Sequence, residues 1–265
     1  MKRFLFIALI CLTPFAAQAH KAWLLPSATV LPLNQFITVD AAVSNDLFYF
    51  SHMPLRLDNL RIIAPDGSSV AAQSPHTGKY RSVFDLELKL AGTYKIAVVN
   101  QGLFASWEEN GETKRWRGNA EGFATEVLSK VEKLQVGEIN ARIETFVSAG
   151  APNDTALRAS GSGLEMLPLT HPNDLYAGES ASFQFLIDGK PASALQVTIV
   201  PGGTRYRDQQ AEVVLSTDAE GRFNTTWAAP GMYWLEAALQ DDKTSVTQAI
   251  QRRVSYVATL EVLAQ

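Results

Sequence analysis

Apolar and polar residues alternate in short runs along most of this chain. The runs Phe36-Ile37-Thr38-Val39-Asp40-Ala41-Ala42-Val43, Asn59-Leu60-Arg61-Ile62-Ile63 and Ser82-Val83-Phe84-Asp85-Leu86-Glu87-Leu88 end in turn residues such as Pro65-Asp66-Gly67 and Ala91-Gly92. A period of two places successive side chains on opposite faces of an extended backbone, so each run is predicted to be a strand with one buried face. Asn110-Gly111 stands between Phe104-Ala105-Ser106-Trp107-Glu108-Glu109 and Glu112-Thr113-Lys114-Arg115-Trp116-Arg117. Asn-Gly tolerates the positive φ angles of a two-residue hairpin turn. Such a turn pairs Trp107 with Lys114 and Ala105 with Trp116, putting both tryptophans on one face, where a packed aromatic cluster is favoured over a ligand-stacking platform. Helical spacing occurs only in Phe123, Val127, Leu128, Val131 and Leu134, which predicts one short helix over 122–135.

The pattern resumes after a stretch rich in small residues, Ser148 to Asp154 and Ser160-Gly161-Ser162-Gly163. Strands are predicted at Ser182 to Ile187, Ala194 to Val200, Ala211 to Thr217, Arg222 to Ala228, Met232 to Leu239 and Tyr256 to Leu263, punctuated by Asp188-Gly189, Asp218-Ala219-Glu220-Gly221 and Pro230-Gly231. Asp218 and Glu220 suit a turn and fall far short of a calcium cage. The expected architecture is all-β: two antiparallel sandwiches, immunoglobulin- or transthyretin-like, with residues 20–163 in the first, 164–265 in the second, and one short helix.

Residues 1–19 read differently. Met1-Lys2-Arg3, an apolar run from Phe4 to Phe15, and Ala17-Gln18-Ala19 form the basic, hydrophobic and small-residue parts of a secretory signal peptide cut after Ala19. The apolar run is shorter than the roughly 20 residues that span a bilayer, and no later stretch qualifies, so no membrane insertion of the mature chain is expected. Cys11 lies in mid-run behind Ile10, which argues against lipidation. The whole chain carries 23 Lys and Arg against 27 Asp and Glu, a net charge of −4, and loss of Lys2 and Arg3 lowers this by two further charges. Cys11 is the only cysteine, so the expected periplasmic form has no thiol for zinc, haem or iron–sulfur ligation. An acidic chain without basic clusters offers no footprint for nucleic acid.

The sequence lacks Gly-x-Ser-x-Gly, a phosphate loop, Gly-x-Gly-x-x-Gly and His-Glu-x-x-His, and no enzymatic activity is expected. Its four histidines are His20, His52, His76 and His171. Cleavage after Ala19 would give His20 a free α-amine beside its imidazole, two nitrogens able to chelate one metal. The third residue would be Ala22, so the amino-terminal copper and nickel motif with histidine in third place is missing. His52 follows Phe48-Tyr49-Phe50 at a strand end and His76 sits in the turn Pro75-His76-Thr77-Gly78; both are candidate further ligands, while His171 ranks last.

His20-Lys21-Ala22-Trp23-Leu24-Leu25-Pro26, Tyr80 to Leu86 with Ala91-Gly92-Thr93-Tyr94, and Gly163 to Leu169 followed by Gly178-Glu179 and Asp188-Gly189-Lys190-Pro191 resemble a bacterial periplasmic family. That family is catalogued mostly as a domain of unknown function, and some members accompany nickel or cobalt uptake systems as their periplasmic component. The resemblance implies a two-domain β-rich protein whose amino-terminal histidine binds a divalent transition metal. Nickel or cobalt is favoured, with copper close behind, and a membrane permease or outer-membrane receptor is the implied partner. His20 matches the family's mature start and His52 a histidine of that region, whereas His171 stands where the family carries an acidic residue. Two other readings remain: an oxidative copper protein, and a structural or adaptor sandwich without ligand.

Overall fold

The computed structural model describes residues 20–127 and 133–265; the signal-peptide expectation for 1–19 falls outside them. The first half contains β1 (Lys21–Pro26), β2 (Val30–Leu31), β3 (Phe36–Ser44), β4 (Met53–Pro54), β5 (Leu60–Ile63), β6 (Ser69–Val70), β7 (Gln73–Thr77), β8 (Ser82–Glu87), β9 (Gly92–Glu109), β10 (Glu112–Gly118), the helix α1 (Ala120–Glu126) and β11 (Gln135–Ala149). The second half contains β12 (Leu164–Pro168), β13 (Ser180–Ile187), β14 (Lys190–Pro191), β15 (Gln196–Pro201), β16 (Val213–Ser216), β17 (Arg222–Thr226), β18 (Gly231–Asp241) and β19 (Ala249–Val262). The mainly-β expectation holds.

The Asn110-Gly111 hairpin has the predicted register, Trp107 opposite Lys114 and Trp116 opposite Ala105. Both turn residues have positive φ, 53° and 79°. The tryptophans pack with Phe123 and Val127, and the Trp116 Nε1–H donates to Glu126 Oε2 at 2.9 Å, so this face is a closed cluster. The helix differs from its expected bounds. Asn119 caps it by accepting from the Gly122 N–H, and it ends at Glu126. Gln135 already belongs to β11, and 128–132 lie outside the described residues.

A ten-stranded sheet, ordered β16-β15-β18-β19-β11-β9-β5-β6, runs through both halves. Its centre is a parallel pairing of β11 with β19, from Val136 opposite Ala249 to Thr145 opposite Thr259. The five-stranded sheet of β1, β3, β4, β7 and β8 covers one end of it, and the four-stranded sheet of β12, β13, β14 and β17 covers the other. Alternation fixes the two sides. Ile143, Val147, Trp234 and Val257 belong to the first core, whereas Phe146, Tyr233, Leu235, Tyr256 and Ala258 belong to the second. Neighbouring positions on one strand point to opposite faces, so the covering sheets lie on opposite faces of one shared sheet. β11 is buried on both faces from Arg142 to Ala149 and β19 from Tyr256 to Leu260, although β11 also carries Glu138, Asn140, Arg142 and Glu144.

Residues 150–163, small and polar in composition, are anchored between the halves. Asn153 accepts from the Thr93 N–H and donates to the Pro65 carbonyl, Leu157 is buried, and the Ser160 and Gly161 N–H groups donate to Glu165.

Candidate metal centre

β3 builds the site by pairing on both sides near its end. Lys21 of β1 lies opposite Ser44, and Met53 of β4 lies opposite Val43. His20 precedes β1 and His52 precedes β4, so the ladder delivers both imidazoles to the same end of the sheet. Their rings stack with centroids 3.8 Å apart and 14° between planes. Both residues are exposed.

The loop 45–52 that carries His52 is held from several directions. Ser44 Oγ and Ser51 Oγ are hydrogen-bonded at 2.6 Å, closing its base. Trp23, fully buried, meets Phe48 edge-on at 5.7 Å and Phe50 at 6.4 Å, so the strand after His20 also anchors the loop before His52. Phe48 adopts a φ of 60°, costly for an aromatic residue, and its ring fits where Gly202 has no side chain. A Cβ at Gly202 would lie 3.0 Å from that ring. The second half contributes further ties: the Leu47 N–H donates to Thr204 Oγ1, and the Trp234 Nε1–H donates to the Ala22 carbonyl, both at 2.9 Å.

Charges surround the pair. The Lys21 ammonium donates to Gln210 Oε1 at 2.7 Å, and burial lowers its pKa, opposed by Glu236, Glu212 and Asp46. Burial raises the Glu236 carboxyl against the pull of Lys21, and raises Asp40 against that of Arg81. The Arg205 guanidinium lies 3.8 Å from the Tyr49 ring centroid, and Arg81 lies 4.8 Å from that of Phe50.

His76 is not brought to this pair. It lies opposite Val83, which lies opposite Asp40, which lies opposite Leu25. Strand spacing puts it roughly 20 Å from His20 and roughly 15 Å from His52. His171 lies in the turn before β13, half-buried. Its Nδ1 accepts from the Asn173 N–H at 3.2 Å, which leaves Nε2 protonated to donate to Thr93 Oγ1 at 2.9 Å. That tautomer cannot accept a hydroxyl proton from Thr93, so the pair is a structural staple. No group of three or more His, Cys, Asp or Glu side chains suited to a metal occurs among the described residues.

A buried charge cluster joins the two halves, and the sequence gives no sign of it. Arg142 of β11 donates to Glu144 Oε1 at 3.2 Å and pairs with Glu165 Oε1 at 3.4 Å. The Tyr256 hydroxyl donates to Glu144 Oε2 at 2.8 Å, and burial, reinforced by that carboxylate, pushes its pKa well up. In the sequence Arg142 and Glu144 alternate with Ala141, Ile143 and Thr145, a pattern that ordinarily marks a solvent-facing side.

Residues 17–241 match the family model described as a domain of unknown function, DUF4198. The chain belongs to this family. No curated protein matches it. Among solved structures, this DUF4198 chain aligns with the D0-D1 domain of intimin at 13% identity and a TM-score of 0.23, covering 91% of this chain and 97% of that one. It aligns with the Escherichia coli adhesin FdeC at 13% identity and a TM-score of 0.26, covering 92% and 63%. A DUF4785 family protein from Legionella pneumophila gives 9% identity and a TM-score of 0.24, covering 80% and 50%. With overlaps this low, the sandwich architecture of the DUF4198 chain rests on its own strands and registers.

Proposed function

We propose that this protein is exported to the periplasm, processed to begin at His20, and binds a divalent transition metal through the His20 α-amine, the His20 imidazole and the His52 imidazole. The observation that carries this reading is the stacked pair of exposed imidazoles, 3.8 Å apart, at the residue where the signal-peptide pattern ends. A metal–nitrogen bond is about 2.0–2.1 Å, so two ring nitrogens about 4 Å apart need only side-chain rotation to share one ion. Nitrogen donors suit late first-row metals. Nickel or cobalt is the proposed cargo, handed to a membrane permease or outer-membrane receptor, and the protein acts as a binding component without catalysing a reaction. Copper remains the competitor that the same donors would hold most strongly.

Calorimetry on protein beginning at His20 tests this, with nickel, cobalt, copper and zinc compared. One extra residue before His20 turns the amine into an amide and should weaken binding at least about a hundredfold, the scale of two lost powers of ten at about 1.4 kcal/mol each. His20→Ala and His52→Ala should each weaken it as well, and affinity should fall on acidification as protons compete for the donors. Equal affinity in the extended and processed forms for all four metals would defeat the proposal.

A further inference from the structure

We propose that the edge strand β16 pairs with β16 of a second copy of this chain, so that two molecules share one continuous antiparallel sheet about a two-fold axis. This inference stands apart from metal binding. β16 ends the ten-stranded sheet beyond β15. Its Val213 and Val214 are 46% and 51% exposed, and Val213-Val214-Leu215-Ser216 holds neither a charge nor a proline. Edges elsewhere carry protection. β7 contains Pro75 and a break in register, β10 carries Glu112, Lys114, Arg115 and Arg117, and β6 is two residues long. The β1 edge is met by the Trp234 Nε1–H at the Ala22 carbonyl. An open apolar edge without such devices is a template for another strand.

The hydrogen-bond pattern fixes which backbone groups are free. The Thr217 N–H donates to the Leu195 carbonyl, and the register continues with Leu215 opposite Val197 and Val213 opposite Ile199. Bonded residues alternate along an antiparallel ladder, so 213, 215 and 217 turn their backbone groups toward β15. Val214 and Ser216, with Glu212 before them, turn theirs outward, where no partner meets them among the described residues. A second β16 laid antiparallel and centred on Val214 satisfies all three. Each Val214 exchanges two bonds with its counterpart, and Glu212 of one chain exchanges two with Ser216 of the other. The same register sets Val213 against Leu215 and keeps the two Glu212 residues roughly 14 Å apart along the strands, so apolar faces apolar and no like charges oppose. This self-match favours a copy of the chain over a foreign strand. The strand is also held ready, since Arg207 donates to the Pro201, Gly202 and Gln210 carbonyls in the loop before it and Gln210 accepts from Lys21. Pairing of so short a strand buries less than the roughly 1,200 Å² of a stable interface, so the dimer is reversible and forms with concentration.

Sedimentation equilibrium of protein beginning at His20, from about 1 μM to about 1 mM without added metal, tests this. We expect a monomer–dimer equilibrium. Amide exchange followed by NMR should slow at Val214 and Ser216 as concentration rises, while Val213 and Leu215, already bonded to β15, stay equally protected throughout. Val214→Pro removes an outward N–H and no ladder bond, which an edge strand tolerates, and should weaken the dimer at least about tenfold with unchanged thermal melting. If that variant melts early, Val214→Lys decides in its place with the same expected loss, because it sets like charges opposite each other across the axis. A protein that stays monomeric up to about 1 mM overturns the inference. So does a dimer that is indifferent to the folded variant, which would place the contact on another surface.

Discussion

Two polar clusters, each drawing residues from both halves of the protein, differ in what they leave unfilled. Around Arg142, Glu144, Glu165 and Tyr256 the charges are buried and turned inward on one another, with Ser160 and Gly161 adding donors and only Arg142 Nε left without a partner in the cluster. At the end carrying His20 and His52, the rings are exposed and Arg205 has an aromatic face but no counter-ion among the described residues. Satisfied polar groups hold a fold together, whereas accessible groups with spare donors or lone pairs are where a ligand can gain free energy. By that criterion the junction is architecture, and the histidine end is where the proposed metal would gain its free energy.

The sharpest way to break the contrast is Arg142→Met, which strands two buried carboxylates. We expect a loss of about 3–5 kcal/mol in urea unfolding, the usual scale for removing one partner of a buried pair. Nickel affinity of the surviving folded fraction should be unchanged; a large loss would mean that the junction serves the site.

The pH dependence should be smaller. Burial lowers the His171 pKa from its ordinary 6.5, despite opposing contributions from Asp154, the Asn153 backbone and Asp174. The unfolded chain therefore takes up this proton first, so stability is full above about pH 6.5 and falls as pH drops below it. Urea midpoints at pH 7.5 and 5.5 should differ more for the wild type than for His171→Gln. The depressed Asp188 and Asp241 carboxyls, held down chiefly by hydrogen bonds from Arg252, add a separate loss only at lower pH, as they protonate. Smallest of all, His76→Ala should leave nickel affinity unchanged and alter stability by less than about 0.5 kcal/mol, as surface substitutions usually do. A weaker metal affinity in that variant would require the β7 edge to move toward His52.

Much of this was legible because it is local. Asn110-Gly111 fixes a hairpin register, Asp218 accepts from the Glu220 and Arg222 N–H groups as a turn aspartate should, and period-two runs mark most strands. His20 stood out through its place after Ala19. The meeting of His52 with His20 was not legible, because it depends on β1 and β4 both pairing with β3 and on buried Trp23 of β1 packing against Phe48 and Phe50. Arg205 was hidden for the same reason, since its partner Tyr49 lies more than 150 residues earlier. The helix was overextended because Leu134 sits at helical spacing from Val127 yet packs beside the start of a strand. The shared sheet left no local mark, because Asn140, Arg142 and Glu144 of β11 alternate as a solvent-facing side would and yet are buried.

That shared sheet also sets an order of events for the newborn chain. β19 occupies the last stretch of the sequence and lies between β11 and β18, with Thr145 Oγ1 donating to the Thr259 carbonyl across 114 positions. Until those final residues emerge, β11 keeps an open edge and both cores lack residues that β19 supplies. Contacts this distant in sequence make folding slow. One strand that feeds both cores makes the two halves close together, so neither completes its packing alone.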